Sequence, residues 1–295
     1  MKAAFLPDRG VVEVSGEDAR KFLNGLLTTD VAQLTPGRAR FGALLTPQGK
    51  IIADFLILQA PADAVAPERF LLDCPRTLAQ PLADKLKLYK LRAKVAINNL
   101  SDRIGVLAAW DGEIVNPPEL AFADPRQAAL GWRILTPEAD ASKIAAAIGA
   151  ELVDANAYDA QRIAHTIPRG GVDFAYGDAF PHETNMDLLH GIDIGKGCYV
   201  GQEVVSRMHH RGTARTRAAR VLLDGPPPAP GTPITTGDKS VGTMGAAVGE
   251  TGIALIRIDR VADALAAGQV LTTGGRTLRI ADPAILQPLA KQTVA

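Results

Sequence analysis

The sequence predicts an α+β chain of two related halves followed by a small all-β module. A strand–helix–strand–strand–helix–strand cadence fills roughly the first hundred residues, and a similar order returns from Arg103. A proline-dense stretch, Leu223–Pro233, then interrupts both periodicities, with five prolines in eleven residues. Around and beyond it, short β-branched runs alternate with glycine turns, the pattern of a small barrel or sandwich.

The elements follow in order. Val11–Val14 is a β-branched run closed by Ser15-Gly16. Ser15 is the expected N-cap of a helix over Glu17–Leu27, where Ala19, Phe22, Leu23 and Leu26 recur at helical spacing. Phe41–Leu45 and Ile51–Gln59 read as strands around Thr46-Pro47-Gln48-Gly49, a hairpin signal. Phe70–Cys74 is an apolar strand ended by Pro75, and Thr77–Tyr89 reads as an amphipathic helix with Leu78, Leu82, Leu86 and Tyr89 on one face. Lys94–Asn98 is strand-like. In the second half, Ile104–Ala109 and Gly131–Leu135 read as strands, Pro137–Ile148 as a helix and Glu151–Ile163 as largely helical. The strands Ser240–Ala247, Ile253–Arg257, Val270–Thr272 and Arg276–Ile280 complete the tail, and residues past Pro283 read as frayed. The expected domains are residues 1–214, in two parts split near 100, and 215–295.

Composition narrows the function classes. The 295 residues carry 32 Lys+Arg against 32 Asp+Glu, which argues against a nucleic-acid or anionic-membrane binder, although a neutral total can hide a local basic face. Hydrophobic residues make up 47% and charged ones 22%, enough apolar material for a sizeable core. The start lacks an uninterrupted apolar run, and runs such as Ile51–Leu58 are too short to span a bilayer. A soluble cytoplasmic protein is the expectation. Cys74 and Cys198 are too few for a disulfide framework, and no Cys/His cluster has zinc spacing.

The least ordinary stretch is Gly195–Glu203, GKGCYVGQE. Its glycines permit positive φ and close backbone approach, so the loop can present Cys198 on a sharp turn into a helix over Gln202–Met208. The neighbouring ammonium of Lys196 is expected to favour thiolate over thiol. The other reading of the same residues is a tight turn in which Cys198 merely fills space.

Lys196-Gly197-Cys198-Tyr199-Val200-Gly201-Gln202-Glu203 resembles the K-G-C-Y-x-G-Q-E signature of the YgfZ family, relatives of the glycine-cleavage T-protein (aminomethyltransferase). Arg207-Met208-His209-His210-Arg211-Gly212 is similar to the R-x-H-H-x-G continuation of that family's mitochondrial branch. Phe22–Val31 resembles its N-terminal helix–turn and Thr46–Lys50 its hairpin, so the likeness spans nearly the whole chain.

The resemblance implies a T-protein-like fold: two ferredoxin-like α+β parts and a C-terminal β-barrel around a central channel that takes a folate. It implies a folate-binding accessory factor for assembly or repair of 4Fe–4S proteins, with an indirect effect on tRNA thiolation. Cys198 would be the working thiol and Lys196 would tune it. The alternative it implies is a tetrahydrofolate-dependent aminomethyl transferase. Asp54 matches the acid that transferases place beside folate, or it simply faces water on a half-exposed strand; Asp73 stands where they carry a folate-binding asparagine. The transferase glutamate that grips the pterin has no counterpart in Arg162-Ile163-Ala164-His165-Thr166, where His165 either substitutes for it or is a structural residue near a helix end. Tetrahydrofolate is the expected cofactor. Iron–sulfur assembly machinery or its 4Fe–4S clients are the expected partners, without nucleic acid or membrane. Adjacent histidines such as His209-His210 point apart, so no stable metal is expected with Cys198. Arg207, Arg211, Arg215, Arg217 and Arg220 form either an anion-binding run or a solvated basic face.

Overall fold

Alternation along the strands sorts the apolar side chains into layers. A computed structural model of the chain describes residues 1–61, 68–212 and 214–287. Chain order and sheet order part at the outset: β1 (Lys2–Phe5) joins the second sheet, and β2 (Arg9–Ser15) opens the first. The first sheet continues through α1 (Ala19–Asn24), β3 (Ala39–Leu45), β4 (Ile51–Gln59), β5 (Arg69–Pro75), α2 (Arg76–Lys90) and β6 (Ala96–Asn99), in the spatial order β3-β4-β5-β2-β6. Without the edge strand β3 this is a β-α-β-β-α-β unit in ferredoxin-like order. Val12 and Val14, Ala53, Phe55 and Ile57, and Phe70, Leu72 and Cys74 all pack with Leu82 and Leu86 of α2 in one core. Arg9, Val11, Asp54, Leu56 and Asp73 therefore share the opposite face.

The second sheet holds β7 (Gly105–Trp110), β8 (Ala121–Ala123), β9 (Trp132–Thr136) and β10 (Glu151–Leu152), in the order β10-β1-β7-β9-β8, with α3 (Ala141–Ala147) on one side. Ala3, Leu107, Ala109 and Ile134 pack there against Ala141 and Ala145. The expected helix over Glu151–Ile163 is divided: β10 comes first and α4 (Ala155–Ala164) follows. Pairing with β1 explains it, because Glu151 N–H donates to the Met1 carbonyl (3.0 Å) and Val153 N–H to that of Ala3 (2.8 Å). Ser15 lies inside β2 and caps nothing; Asp18 precedes α1.

Contacts group the chain into two compact, interleaved units. Met1–Pro47, Ile51–Tyr158 and Leu188–Val200 form the first, and Gln48–Lys50, Asp159–Asp187 and Gly201–Ala295 the second. In the second unit, α5 (Gln202–Arg211) precedes a closed barrel. Its strands are β11 (Thr216–Leu223), β12 (Pro233–Thr236), β13 (Lys239–Val248), β14 (Thr251–Arg257), β15 (Leu271–Thr273) and β16 (Arg276–Ile280), with α6 (Ile258–Ala266) after β14. Val221, Ile234, Val241, Met244, Ile256, Leu271 and Leu278 fill the interior. The proline-dense stretch is thus an irregular crossing between two barrel strands. Pro283–Leu286, expected to fray, closes a short 3₁₀ turn with the Asp282 side chain accepting from Ala284 N–H at 3.0 Å.

Candidate functional site

The loop around Cys198 is built onto the first unit by its neighbours. Residues 188–200 lie against the turn that follows α1. Thr28, fully buried, donates its hydroxyl to the Gly191 carbonyl (2.7 Å) and accepts from Ala43 N–H of β3 (2.9 Å). Its own carbonyl accepts from Asp193 N–H at 2.9 Å. Asn24 organises the same turn, its side-chain oxygen accepting from Val31 N–H at 2.9 Å. The N-terminal segment Phe22–Val31 is therefore the seat of the cysteine loop.

Lys196 completes the anchorage. Its ammonium donates to the carbonyls of Asn24 and Leu27, each at 2.6 Å, just past the end of α1. The Asn24 carbonyl is one the end of α1 leaves without a partner and the Leu27 carbonyl belongs to the turn that follows, so the lysine caps the helix and ties down its turn from far along the chain. Burial pulls its pKa down to about 8, while Asp30 and Asp193 oppose the shift. The ammonium also lies 5.2 Å from the ring centre of Tyr199. Sequence adjacency assigned this charge to the thiol; the structure commits it to two carbonyls.

Cys198 is exposed at the tip of the anchored loop, and Tyr199 beside it is buried, which pushes the phenol up to about 12. Of the three glycines, Gly201 has the backbone that demands one, φ 82° at the entry to α5. Gly197 has no atom within 4 Å of a would-be side chain, so neither steric crowding nor positive φ calls for glycine there. Gln202 opens α5, and Glu203 pairs with Arg207 one turn on at 2.6 Å, an exposed i,i+4 contact. In the second unit, Gly49 (φ 80°) places the hairpin tip against Val204 of α5.

Asp54 and Asp73 lie on one face of the first sheet: Leu56 pairs with Asp73, so Asp54 sits on the diagonal. Asp73 is fully buried. Arg9 Nε donates to its carboxylate at 2.6 Å, and Arg133, from β9, stands 3.6 Å away. Burial disfavours the Arg9 charge, yet Asp73 and Asp54 outweigh it and raise its pKa. Arg133 also donates to the Tyr158 hydroxyl (2.5 Å) and lies 3.4 Å from Asp124. Of the Asp73 carboxylate, Arg9 engages Oδ1 alone, while Oδ2 has no hydrogen-bond partner among the described residues. Asp54, 8% exposed, lies beside this network.

The transferase-like segment behaves likewise in the second unit. Arg162 donates to Asp159 at 2.6 Å and to Asp173 at 2.7 Å, and Asp173 also accepts from Ala246 N–H of the barrel (2.6 Å). The arginine run is not one surface: Arg217 is buried in a two-pronged pair with Asp187 (2.6 and 2.8 Å), and Arg220 donates to the Ala164 carbonyl at 2.6 Å. His209 faces the buried His182, ring centres 6.0 Å apart. Burial pulls His182 down to about 4, with Arg217 and His209 acting in the same direction against Asp187. Among the described residues no group of three or more His, Cys, Asp or Glu is placed to hold a metal. No helix among them is long and apolar enough to cross a membrane. Sequence reading missed Arg9, Arg133, His182 and the role of Thr28, whose contacts lie far away in sequence.

Comparison with known proteins bears on this geometry. Residues 8–110 match the GCVT N-terminal domain and residues 215–288 the CAF17 C-terminal beta-barrel domain. An iron–sulfur cluster assembly factor IBA57 homolog, mitochondrial, from Mycosarcoma maydis is 38% identical over 77% of this chain and 59% of its own length. The mitochondrial iron–sulfur cluster assembly factor IBA57 of Mus musculus is 31% identical over 87% of this chain and 77% of its own. Among solved structures, the glycine cleavage system aminomethyltransferase T from Bartonella henselae superposes with a TM-score of 0.74 at 16% identity, covering 99% of this chain and 86% of that one. That likeness shows the fold: T-protein-like, mixed α+β, with a closed C-terminal barrel.

Proposed function

The chain belongs to the family of the iron–sulfur cluster assembly factor IBA57, and on that premise we propose that it serves iron–sulfur cluster assembly with Cys198 as its working thiol. The observation that carries the reading is an exposed thiol on a loop whose base is anchored by Thr28 and Lys196. One thiolate holds a single corner of a cluster, since clusters take about four such ligands. Cys198 therefore supplies one ligand to a cluster in transit, the others coming from the assembly machinery or from a 4Fe–4S client. Lys196 acts as a positioning residue: it fixes the loop, and the loop presents the sulfur.

Tetrahydrofolate remains the small molecule of this reading, with Asp54 and the unpartnered Oδ2 of Asp73 as its carboxylate contacts. The cytoplasm is the proposed location, and reduced tRNA thiolation is the proposed downstream consequence of losing 4Fe–4S enzymes. The rival, a folate-dependent one-carbon transferase, needs Asp54 and is indifferent to Cys198.

Aconitase activity in cells lacking this gene, rescued by variants matched for protein level, tests the reading. Wild type and Asp54→Asn are expected to restore activity and Cys198→Ser to fail. Equal rescue by all three overturns the thiol role, and failure of Asp54→Asn alone transfers the function to folate chemistry. Titration calorimetry with tetrahydrofolate, comparing wild type with Asp54→Asn, separately tests the ligand.

A further inference from the structure

The balanced total charge conceals a local concentration at the C-terminal end of α2. Residues 84–94 read Asp-Lys-Leu-Lys-Leu-Tyr-Lys-Leu-Arg-Ala-Lys, five cations against one acid. Leu82 and Leu86 point into the core, but Leu88 and Leu91 are 72% and 89% exposed, one turn apart on the outer side. The surrounding acids neutralise part of the patch. Asp84 lies 3.4 Å from Lys87, Glu17 pairs with Lys94, and Asp18 accepts from the Lys94 N–H. Lys85, which lies over the Tyr89 ring, Lys90 and Arg92 enter no ion pair among the described residues.

The backbone adds a second, independent observation. Leu91, the residue that ends α2, has φ 45°. With ψ −108° it lies outside the left-handed helical cap region as well, so an L-side chain is strained there and glycine is the residue that adopts it freely. The chain instead keeps there the most exposed large apolar side chain among the described residues. Strain and exposure held together at one residue are the pattern of a site built for a partner.

We propose that the α2 tip docks on an anionic lipid surface, Leu88 and Leu91 entering the headgroup–acyl boundary while Lys85, Lys87, Lys90 and Arg92 meet the phosphates. The order of chemistry favours lipid over an acidic protein. Two leucines on a protruding helix end need a soft apolar phase, with anions in a layer just above it. Long basic side chains reach that layer from beside the leucines along their own apolar stems. A peptide carrying only carboxylates satisfies the cations and leaves the leucines in water. The inference is independent of the cluster-assembly reading, because Cys198 plays no part in it.

Flotation of the full chain with vesicles tests it. Phosphatidylcholine vesicles containing about a third phosphatidylglycerol are expected to carry the protein, and pure phosphatidylcholine vesicles are not. Leu88→Ser and Leu91→Ser should each weaken the partition about tenfold, the transfer cost of one buried leucine. Lys87→Gln with Lys90→Gln should weaken it and flatten its salt dependence. Leu91→Gly controls for folding: it relieves the strained backbone, so it is expected to leave or raise the melting temperature while still losing partition. Failure of the wild type to float at low salt overturns the proposal. So does partition unchanged by the leucine substitutions, or binding to poly-glutamate in preference to vesicles, which would make the patch a protein-docking site.

Discussion

Cys74 and Cys198 have the same side chain in opposite settings. Cys74 sits in β5 between the first sheet and α2, fully buried among Val12, Leu72 and Leu82. Burial pushes its thiol up to about 12; Asp73 and Asp54 add to the shift and Arg9 opposes it. Cys198 stands in the open on a loop anchored from below. The lesson is that access, rather than residue type, separates a sealed thiol from one that solvent can reach. The ammonium beside Cys198 in sequence serves the loop, and the guanidinium near Cys74 cannot offset desolvation.

The largest expected difference is in reactivity. A maleimide should label Cys198 in the native protein about a thousandfold or more faster than Cys74, which needs an opening of several kcal/mol. Mass spectrometry of the labelled peptides reads the ratio, and comparable rates would break the contrast. Stability comes next, with the order reversed. Cys74→Ser buries a hydroxyl in an apolar layer and should cost about 1–3 kcal/mol, whereas Cys198→Ser should stay within about 0.5 kcal/mol by urea denaturation. Thr28→Val then tests the anchorage of the Cys198 loop. It removes the donor to Gly191 and the acceptor for Ala43 and should cost about 1–3 kcal/mol, with faster hydrogen exchange over residues 191–196. An unchanged exchange rate there would mean that the loop holds its shape without that hydroxyl.

The smallest effects lie in the alkaline stability profile and carry opposite signs. Lys196 has a folded pKa near 8, below its ordinary 10.5, so the folded chain releases that proton first. Its contribution to stability rises as pH climbs between those values and is lost as pH falls through 8. Cys74 is raised from 9.0 to about 12, so its contribution is intact below 9 and is lost as pH rises toward 12. Lys196→Met should remove the rising limb, and Cys74→Ala the falling one, in denaturation midpoints measured from pH 7 to 11.

Much of the first sheet was legible because alternation is local. Val12-Val14, Phe55-Ile57 and Phe70-Leu72 announce one buried face, and the same period puts Asp54 and Asp73 on the other. The tail was legible for a similar reason, since its short runs correspond to barrel strands. The β10 strand was not, because two residues become a strand only through the hydrogen bonds that β1 offers. The place of the proline stretch between two barrel strands was not legible, because its composition marks an irregular path without saying what lies on either side. Cys198 was legible as an unusual residue in an unusual loop; the anchor beneath it was not.

By itself the sequence determined the α+β order of elements, the faces of the strands, the glycine at the mouth of α5 and the place of the exposed thiol's loop. Each follows from spacing over a few residues, where backbone geometry leaves few choices. Tertiary structure alone decided that Lys196 bonds carbonyls 169 and 172 residues away and that Asp73 meets an arginine 64 residues away. It also put β1 beside β7 and β10. A buried polar group takes whichever partner packing brings within reach, because leaving it unpaired in a dry interior costs more than any preference written in its neighbours.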